Sequence, residues 1–297
     1  LGLRYDLTVP FARVVAMNPQ LKLPFKRYQI GSVFRDGPVT ASRYREFTQC
    51  DCDIVGTKSL AADAECIDLF LRCFAALGLE VVVRVNNRKI LDEVMDVLKI
   101  RKASRGDVML VLDKLEKKKK DEVVRELVGL GVSRKTVEVL LAVLCSSGTR
   151  EELIRKVQGL VGESQGVQEI KEVFASCPSE NVVFVPSLAR GLAYYTGTIF
   201  EVYLADGSLK SSLASGGRYD QMIGALVGNG QEYPAVGCSF GLDVIMNVIK
   251  GMRRVTRASV VQVYVVPIGV AVTTVWPMVC ALRVAGVATD LAFSGKG

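Results

Sequence analysis

The chain has 297 residues, a length for two domains or three, with 38 Lys plus Arg against 31 Asp plus Glu and a net charge of +7. Its 49% hydrophobic and 23% charged residues fit a globular protein and exclude disorder. No apolar run reaches the roughly 18–20 residues of a bilayer span, no signal-peptide pattern opens the chain, and the absence of any histidine excludes a Ser-His-Asp triad, a Cys-His pair, a His-ligated metal and a His proton shuttle. Chemistry is left to Arg, Asp, Glu, Lys, Tyr, Thr, Gln, Cys and backbone groups. The chain begins at Leu1 and ends at Ser294-Gly295-Lys296-Gly297, and it reads as a fragment.

Residues 1–85 read as mixed α/β. Arg4, Asp6 and Thr8 interrupt an apolar stretch ending at Pro10. Residues 26–34 and 44–55 are predicted strands, and residues 36–42, with Gly37 and Pro38, make them a hairpin with a long tip. Residues 60–77 carry Cys66, Leu69, Phe70, Cys73, Phe74 and Leu77 at helical spacing, with Gly78 as the stop. A short apolar strand follows at 81–85.

Residues 86–180 turn rich in Lys, Glu, Leu and Val, with turns near Gly131, Gly148 and Gly162. They read as a helical insertion. Its densest charge, Lys117–Lys120, is either a solvated helix face or a phosphate-backbone contact. Strands return at 182–185, 198–204, 213–216 and 235–240, and an apolar helix follows at 242–249. Residues 251–258 are short, basic and linker-like. A strand at 262–267, a helix at 270–285 containing Pro277 and a strand from 287 read as the start of a second α/β domain.

The hairpin carries the strongest signal for a site. Alternation places Arg27, Gln29, Gly31, Val33 and Arg35 on one face of the first strand, and Arg43, Arg45, Phe47, Gln49, Asp51 and Asp53 on one face of the second. The opposite faces, with Tyr28, Ile30, Phe34, Cys50, Cys52 and Ile54, read as core. The polar face is either a solvent-facing sheet surface or the floor of a polar ligand site. Three further segments favour the floor. Arg190 and the pair Tyr194-Tyr195 stand between glycines. Ser215-Gly216-Gly217-Arg218-Tyr219-Asp220 lets backbone approach a ligand closely. Gly237-x-x-x-Gly241 passes from strand to helix, where a flat ligand fits near the helix start. The eight cysteines form no C-x-x-C and read as reduced core thiols; Cys50-Asp51-Cys52 lacks the second pair a metal site needs.

Together these segments resemble histidyl-tRNA synthetase, a class II aminoacyl-tRNA synthetase family, over nearly the whole chain. Tyr28 to Arg35 and Arg43 to Asp53 match the second class motif. Residues 188–197, with Arg190 and Tyr194-Tyr195, and residues 215–220 match two histidine-specific signatures. The wording of residues 4–13 and 44–51 is similar to the eukaryotic and archaeal branch. The resemblance implies an α+β fold: an antiparallel class II core in residues 1–85 and 181–252, a helical insertion at 86–180 and a truncated α/β anticodon-binding domain at 259–297. The first class motif would precede Leu1.

The resemblance also implies roles. Asp6 and Thr8 would hold the ammonium group of histidine, Gln49 and Asp53 would make further amino-acid contacts, and Tyr194 and Tyr195 would wall the imidazole. Arg35 and Arg190 would grip the α-phosphate of ATP, with Arg43, Gly237 and Gly241 also at the nucleotide. ATP with Mg²⁺, histidine and tRNA(His) are the implied substrates and partners, with no resident protein metal. A homodimer is implied, off the membrane, in the cytoplasm or in mitochondria. Three positions depart from the family pattern: Gly37 replaces a Glu, Ala193 an Asp and Val244 an Arg. They admit a second reading, a catalytically impaired module that binds histidine or tRNA for regulation. Arg218, Arg253 and Arg254 are the nearest candidates to replace the lost charge at the γ-phosphate.

Overall fold

The structure is a computed structural model that describes residues 2–40, 44–115, 118–190, 194–228, 231–252 and 259–293. The chain divides into two compact units, Leu1–Ile245 and Met246–Gly297. Among the described residues no helix is long and apolar enough to cross a membrane.

The first unit opens with helix α1 (Thr8–Met17), which the sequence reading does not anticipate. The predicted hairpin follows as β1 (Phe25–Phe34) and β2 (Glu46–Val55), paired in antiparallel register. The second strand starts two residues later than its pattern suggests. Helix α2 (Ala61–Ala76) stops one residue before Leu77, with Gly78 at a φ of 71° that an L side chain rarely adopts. Strand β3 (Val81–Asn87) runs two residues past its apolar stretch.

Residues 88–176 then form helices α3 (Arg88–Val97), α4 (Arg105–Leu112), α5 (Lys120–Gly129), α6 (Arg134–Leu144), α7 (Arg150–Val161) and α8 (Gln165–Ser176). Their starts are chemically marked. Asn87, Ser133 and Ser164 each accept a backbone N–H of the first turn, and Thr149 with Glu152 forms a reciprocal capping box. Lys118 of the basic run pairs with Glu126; Lys117 lies outside the described residues.

Strands β4 (Val182–Phe184), β5 (Thr198–Leu204) and β6 (Ala214–Arg218), helix α9 (Met222–Val227), strand β7 (Ala235–Gly241) and helix α10 (Leu242–Met252) follow. The first-unit strands form one seven-stranded sheet in the order β1-β2-β7-β6-β5-β3-β4, antiparallel except for the β3–β4 pair. Helix α2 seals one face of its inner strands. Phe70 meets Phe200 and Phe240 at 5.6 and 5.0 Å between ring centroids, and Phe74 meets Phe240 at 5.7 Å. Each such buried ring contributes roughly 1.5–3 kcal/mol of transfer free energy.

Two expectations need correction. The face of β1 read as core is exposed: Tyr28 is 76% and Ile30 58% accessible. β1 is an edge strand, and the described packing of α2 is with the inner strands. The covered side is the polar one, where Phe11 of α1 stacks on the Arg27 guanidinium at 4.1 Å. The linker expected from Gly251 is also shortened, because α10 continues through Met252. Residues 253–258, with Arg253 and Arg254, lie outside the described residues.

The second unit contains a two-stranded parallel sheet of β8 (Val263–Val265) and β9 (Thr289–Leu291), with helix α11 (Val272–Val284) between them and Pro277 inside that helix. Val265, Val279 and Leu291 form its small core.

Candidate active site

Strand register assembles the site before any loop is considered. One row of Cα partners crosses the sheet as Gln29, Asp51, Ser239, Ser215, Glu201 and Arg84. The next runs Arg27, Asp53, Gly237 and Gly217. A third joins Gly31, Gln49 and Gly241. Because side chains alternate, the polar members share one face. Above them lies a cleft of about 630 Å³, within the range of a small-molecule site. Asp6, Thr8, Arg35, Gln49, Asp53, Arg190, Tyr194, Tyr195, Gly237 and Gly241 all line it. Arg43 and Ala193 lie outside the described residues.

The acidic end is buried and tightly held. Asp53 pairs with Arg27 Nη2 at 2.7 Å and accepts the Tyr219 hydroxyl at 2.6 Å. Arg27 also donates to Gln29 Oε1 at 2.8 Å and to the Leu7 carbonyl at 3.2 Å. Gln49 Nε2 donates to Ser239 Oγ at 2.8 Å. Gln49 Oε1 and Asp51 Oδ1 are buried acceptors without a protein partner. Asp6 accepts the Val9 N–H at 3.0 Å at the start of α1. Tyr194 and Tyr195 meet edge-on at 4.7 Å, and Tyr194 meets Tyr219 at 6.2 Å. Burial raises all three phenols above their usual range, so they stay neutral.

Two guanidinium groups also line the cleft. Arg190 is clamped by Glu201, donates from Nη2 to Ser215 Oγ at 3.1 Å, and keeps a buried Nε without a protein partner. Tyr203 in turn donates to Glu201 Oε2 at 2.6 Å. Arg35 stacks over Tyr5 and Phe47 at 4.5 and 4.9 Å and donates to the Tyr5 carbonyl at 3.2 Å. Asp243, first acid of α10, accepts the Thr48 N–H at 2.7 Å and so ties that helix to β2.

Sequence reading does not single out Glu201, Tyr203 or Ser239 as members of the site. Alternation along β5, with Phe200, Val202 and Leu204 on the buried face, is the available signal for Glu201 and Tyr203. Gly37 and Val244 both border the cleft. Gly37 has a φ of 147°, so a Glu there would strain the backbone. Arg218 is not free to serve a nucleotide. It is 3% exposed and holds Asp63, Asp220 and the carbonyls of Thr57 and Ser59.

Two results follow from this packing. A Cβ on Gly237 would stand 2.1 Å from Asp53 Oδ1 and 3.2 Å from the Cys52 carbonyl. Gly237→Ala is therefore expected to lower stability by about 1–3 kcal/mol through overpacking and to displace Asp53, as urea unfolding would read. Burial pushes the Asp53 carboxyl from 3.8 up to about 6, against the pull of Arg27. The folded chain then favours its protonated form, so this group adds stability that is complete below about pH 4 and lost as pH rises through about 6. Between those values the wild type should lose up to about 3 kcal/mol relative to Asp53→Asn, measured by urea titration at each pH.

A largely antiparallel sheet flanked by helices, with two guanidinium groups lining a cleft over a buried polar floor, defines a class II aminoacyl-tRNA synthetase core. The profile of histidyl-tRNA synthetase matches residues 1–245. Histidine–tRNA ligase 2 of Shouchella clausii (strain KSM-K16) is 40% identical over 304 residues, covering 100% of this chain and 71% of that protein. Histidine–tRNA ligase 1 of Bacillus anthracis is 45% identical over 276 residues, covering 91% of this chain and 64% of that protein. The crystal structure of histidyl-tRNA synthetase from Nostoc sp. PCC 7120 superposes with a TM-score of 0.84 at 29% identity, covering 99% of this chain and 71% of that one. The chain belongs to the histidyl-tRNA synthetase family. It spans 64% of the length of its Bacillus anthracis relative. These bacterial relatives do not bear out the eukaryotic or archaeal branch suggested by motif wording.

Proposed function

We propose that this chain carries the histidine-activating centre of a histidine–tRNA ligase. A carboxylate oxygen of histidine attacks the α-phosphorus of ATP, the bond to the bridging oxygen breaks, and pyrophosphate leaves. The histidyl group then passes to tRNA(His). The observation that carries this reading is the lining of one cleft by both buried acceptors and two anchored guanidinium groups.

In this reading Asp6 and Thr8 take the ammonium group, and Gln49 and Asp53, with Asp51 between them, read the rest of the amino acid. Tyr194 and Tyr195 flank the imidazole. Arg35 and Arg190 offset the repulsion between carboxylate and phosphate and hold the charge that develops on the α-phosphate. Gly237 and Gly241 let the adenylate lie close to the sheet, and Arg43 would add a contact to the nucleotide. Hydrogen-bonded recognition of this kind rejects apolar analogues strongly. Among the described residues no group of three metal-ligating side chains is present. Mg²⁺ would come with the nucleotide and would offset charge on the departing pyrophosphate. The whole protein would work as a homodimer in the cytoplasm, or in mitochondria, with tRNA(His) as its macromolecular substrate.

The test is histidine-dependent exchange of pyrophosphate into ATP by the full-length parent, with Val244→Arg alongside. Exchange in the parent supports the ligase. No exchange in the parent but activity in Val244→Arg points to the regulatory module, a synthetase fold that kept its amino-acid pocket and lost its nucleotide grip.

A further inference from the structure

The face of β2 turned away from the cleft carries Cys50 and Cys52, and the neighbouring strand adds Cys238. Cys66 and Cys73 of α2 adjoin this group, Cys66 near Cys238 and Cys73 near Cys52. Within it, Cys52 and Cys238 stand apart from the others. They are direct cross-strand partners in the antiparallel pairing of β2 with β7, and their thiols lie close enough to shift each other's titration. Directly opposed residues in such a pair have Cα atoms about 4.5–5.5 Å apart, within the roughly 4.4–6.8 Å that a disulfide spans.

The two thiols are also unequal. Cys238 is buried, whereas Cys52 is half-exposed beside the uncovered Tyr28, its partner on β1. The neighbouring Cys238 thiol holds the Cys52 thiol below its usual range. Burial pushes Cys50 up to about 11 and also raises Cys73. Thiolate character, which sets nucleophilic reactivity, is therefore concentrated at the half-exposed member of the pair.

We propose that Cys52 and Cys238 form a peroxide-reactive dithiol on the underside of the cleft floor. The Cys52 thiolate attacks one oxygen of a hydroperoxide, the O–O bond breaks, and the second oxygen leaves as water or an alcohol after taking a proton. Cys52 is then a sulfenic acid. The Cys238 sulfur attacks the sulfenic sulfur, the S–O bond breaks, and water leaves with the Cys238 proton. Two thiols lose two electrons in all, and the hydroperoxide gains them. The product ties β2 to β7 at the position next to Asp53 and Gly237, which face each other on the cleft side. The proposal concerns this thiol pair alone and holds whether or not the cleft activates histidine.

The test treats the full chain under native conditions with hydrogen peroxide, blocks remaining thiols with iodoacetamide and maps peptides by mass spectrometry. The expected result is a Cys52–Cys238 cross-linked peptide that dithiothreitol removes. It should be absent from Cys52→Ser. Cys238→Ser should instead accumulate a dimedone-reactive sulfenic acid at Cys52, at least several-fold above Cys50 or Cys73. A folded wild-type chain that yields no such cross-link, or that joins Cys66 to Cys238 instead, overturns the proposal. So does first labelling at Cys50. The wild-type map decides the pairing alone, so a variant that fails to fold leaves the test intact.

Discussion

Replacing Arg190 with Gln is expected to lower histidine-dependent pyrophosphate exchange by about 10²–10³-fold, the usual cost of one preorganised donor to a transition state. The Arg190 side chain is 19% exposed and two partners fix its geometry: Glu201 takes one terminal nitrogen and Ser215 accepts from the other at 3.1 Å, while Tyr203 steadies Glu201 at 2.6 Å. In the proposed reaction a guanidinium fixed in this way would meet the α-phosphate without reorganising. The loss should fall on kcat, with the KM for histidine changed only a few-fold, because the role proposed for Arg190 is at the α-phosphate. Glu201→Gln offers a check on positioning. It keeps the shape but weakens the clamp, so its loss should be smaller than that of Arg190→Gln. An equal fall in histidine affinity for Arg190→Gln would place that residue in amino-acid binding instead.

Asp63→Ala is expected to destabilise the chain by about 3–5 kcal/mol, the range for stripping one partner from a buried ion pair. Asp63 is fully buried on α2, and Arg218 of β6 has 3% exposure. Arg218 donates to both Asp63 oxygens, to Asp220 at 3.1 Å, and to the carbonyls of Thr57 and Ser59 at 3.1 and 3.2 Å. Removing Asp63 leaves a guanidinium out of reach of water with neutral acceptors for most of its contacts. The same network explains why Arg218, a candidate from sequence for the missing phosphate charge, is structural. Urea unfolding of wild type and Asp63→Ala measures the difference directly; a change below about 1 kcal/mol would mean that water or Asp220 compensates.

Much of this molecule is legible from alternation. Residues 198–204 read as a strand over the range the fold adopts, and the polar face of the hairpin follows residue by residue: Gln49, Asp51 and Asp53 share the floor. Alternation distinguishes two faces but does not say which one is covered, because coverage is decided by an element distant in sequence. The inversion at Tyr28 and Ile30 is the result. These large side chains look like core, yet they lie on an edge strand, while Arg27 lies under Phe11 of α1. Helix α1 itself carries local signals that the polar residues around it obscure. Asp6 accepts a first-turn N–H, Pro10 sits in the first turn, and Phe11, Ala12 and Val15 are buried at helical spacing. The clamp on Arg190 is harder to find. Glu201 belongs to no motif, and only the register of β5 with β6 makes it a neighbour of Ser215.

The most direct test of the central claim is calorimetric titration of this chain with L-histidine and, in parallel, L-phenylalanine. The account predicts saturable binding of histidine, weakened at least ten-fold in Gly237→Ala by the displaced Asp53, and no measurable binding of phenylalanine, which leaves the buried acceptors unpaired. Equal binding of the two amino acids, or no heat from histidine in a folded chain, would contradict it.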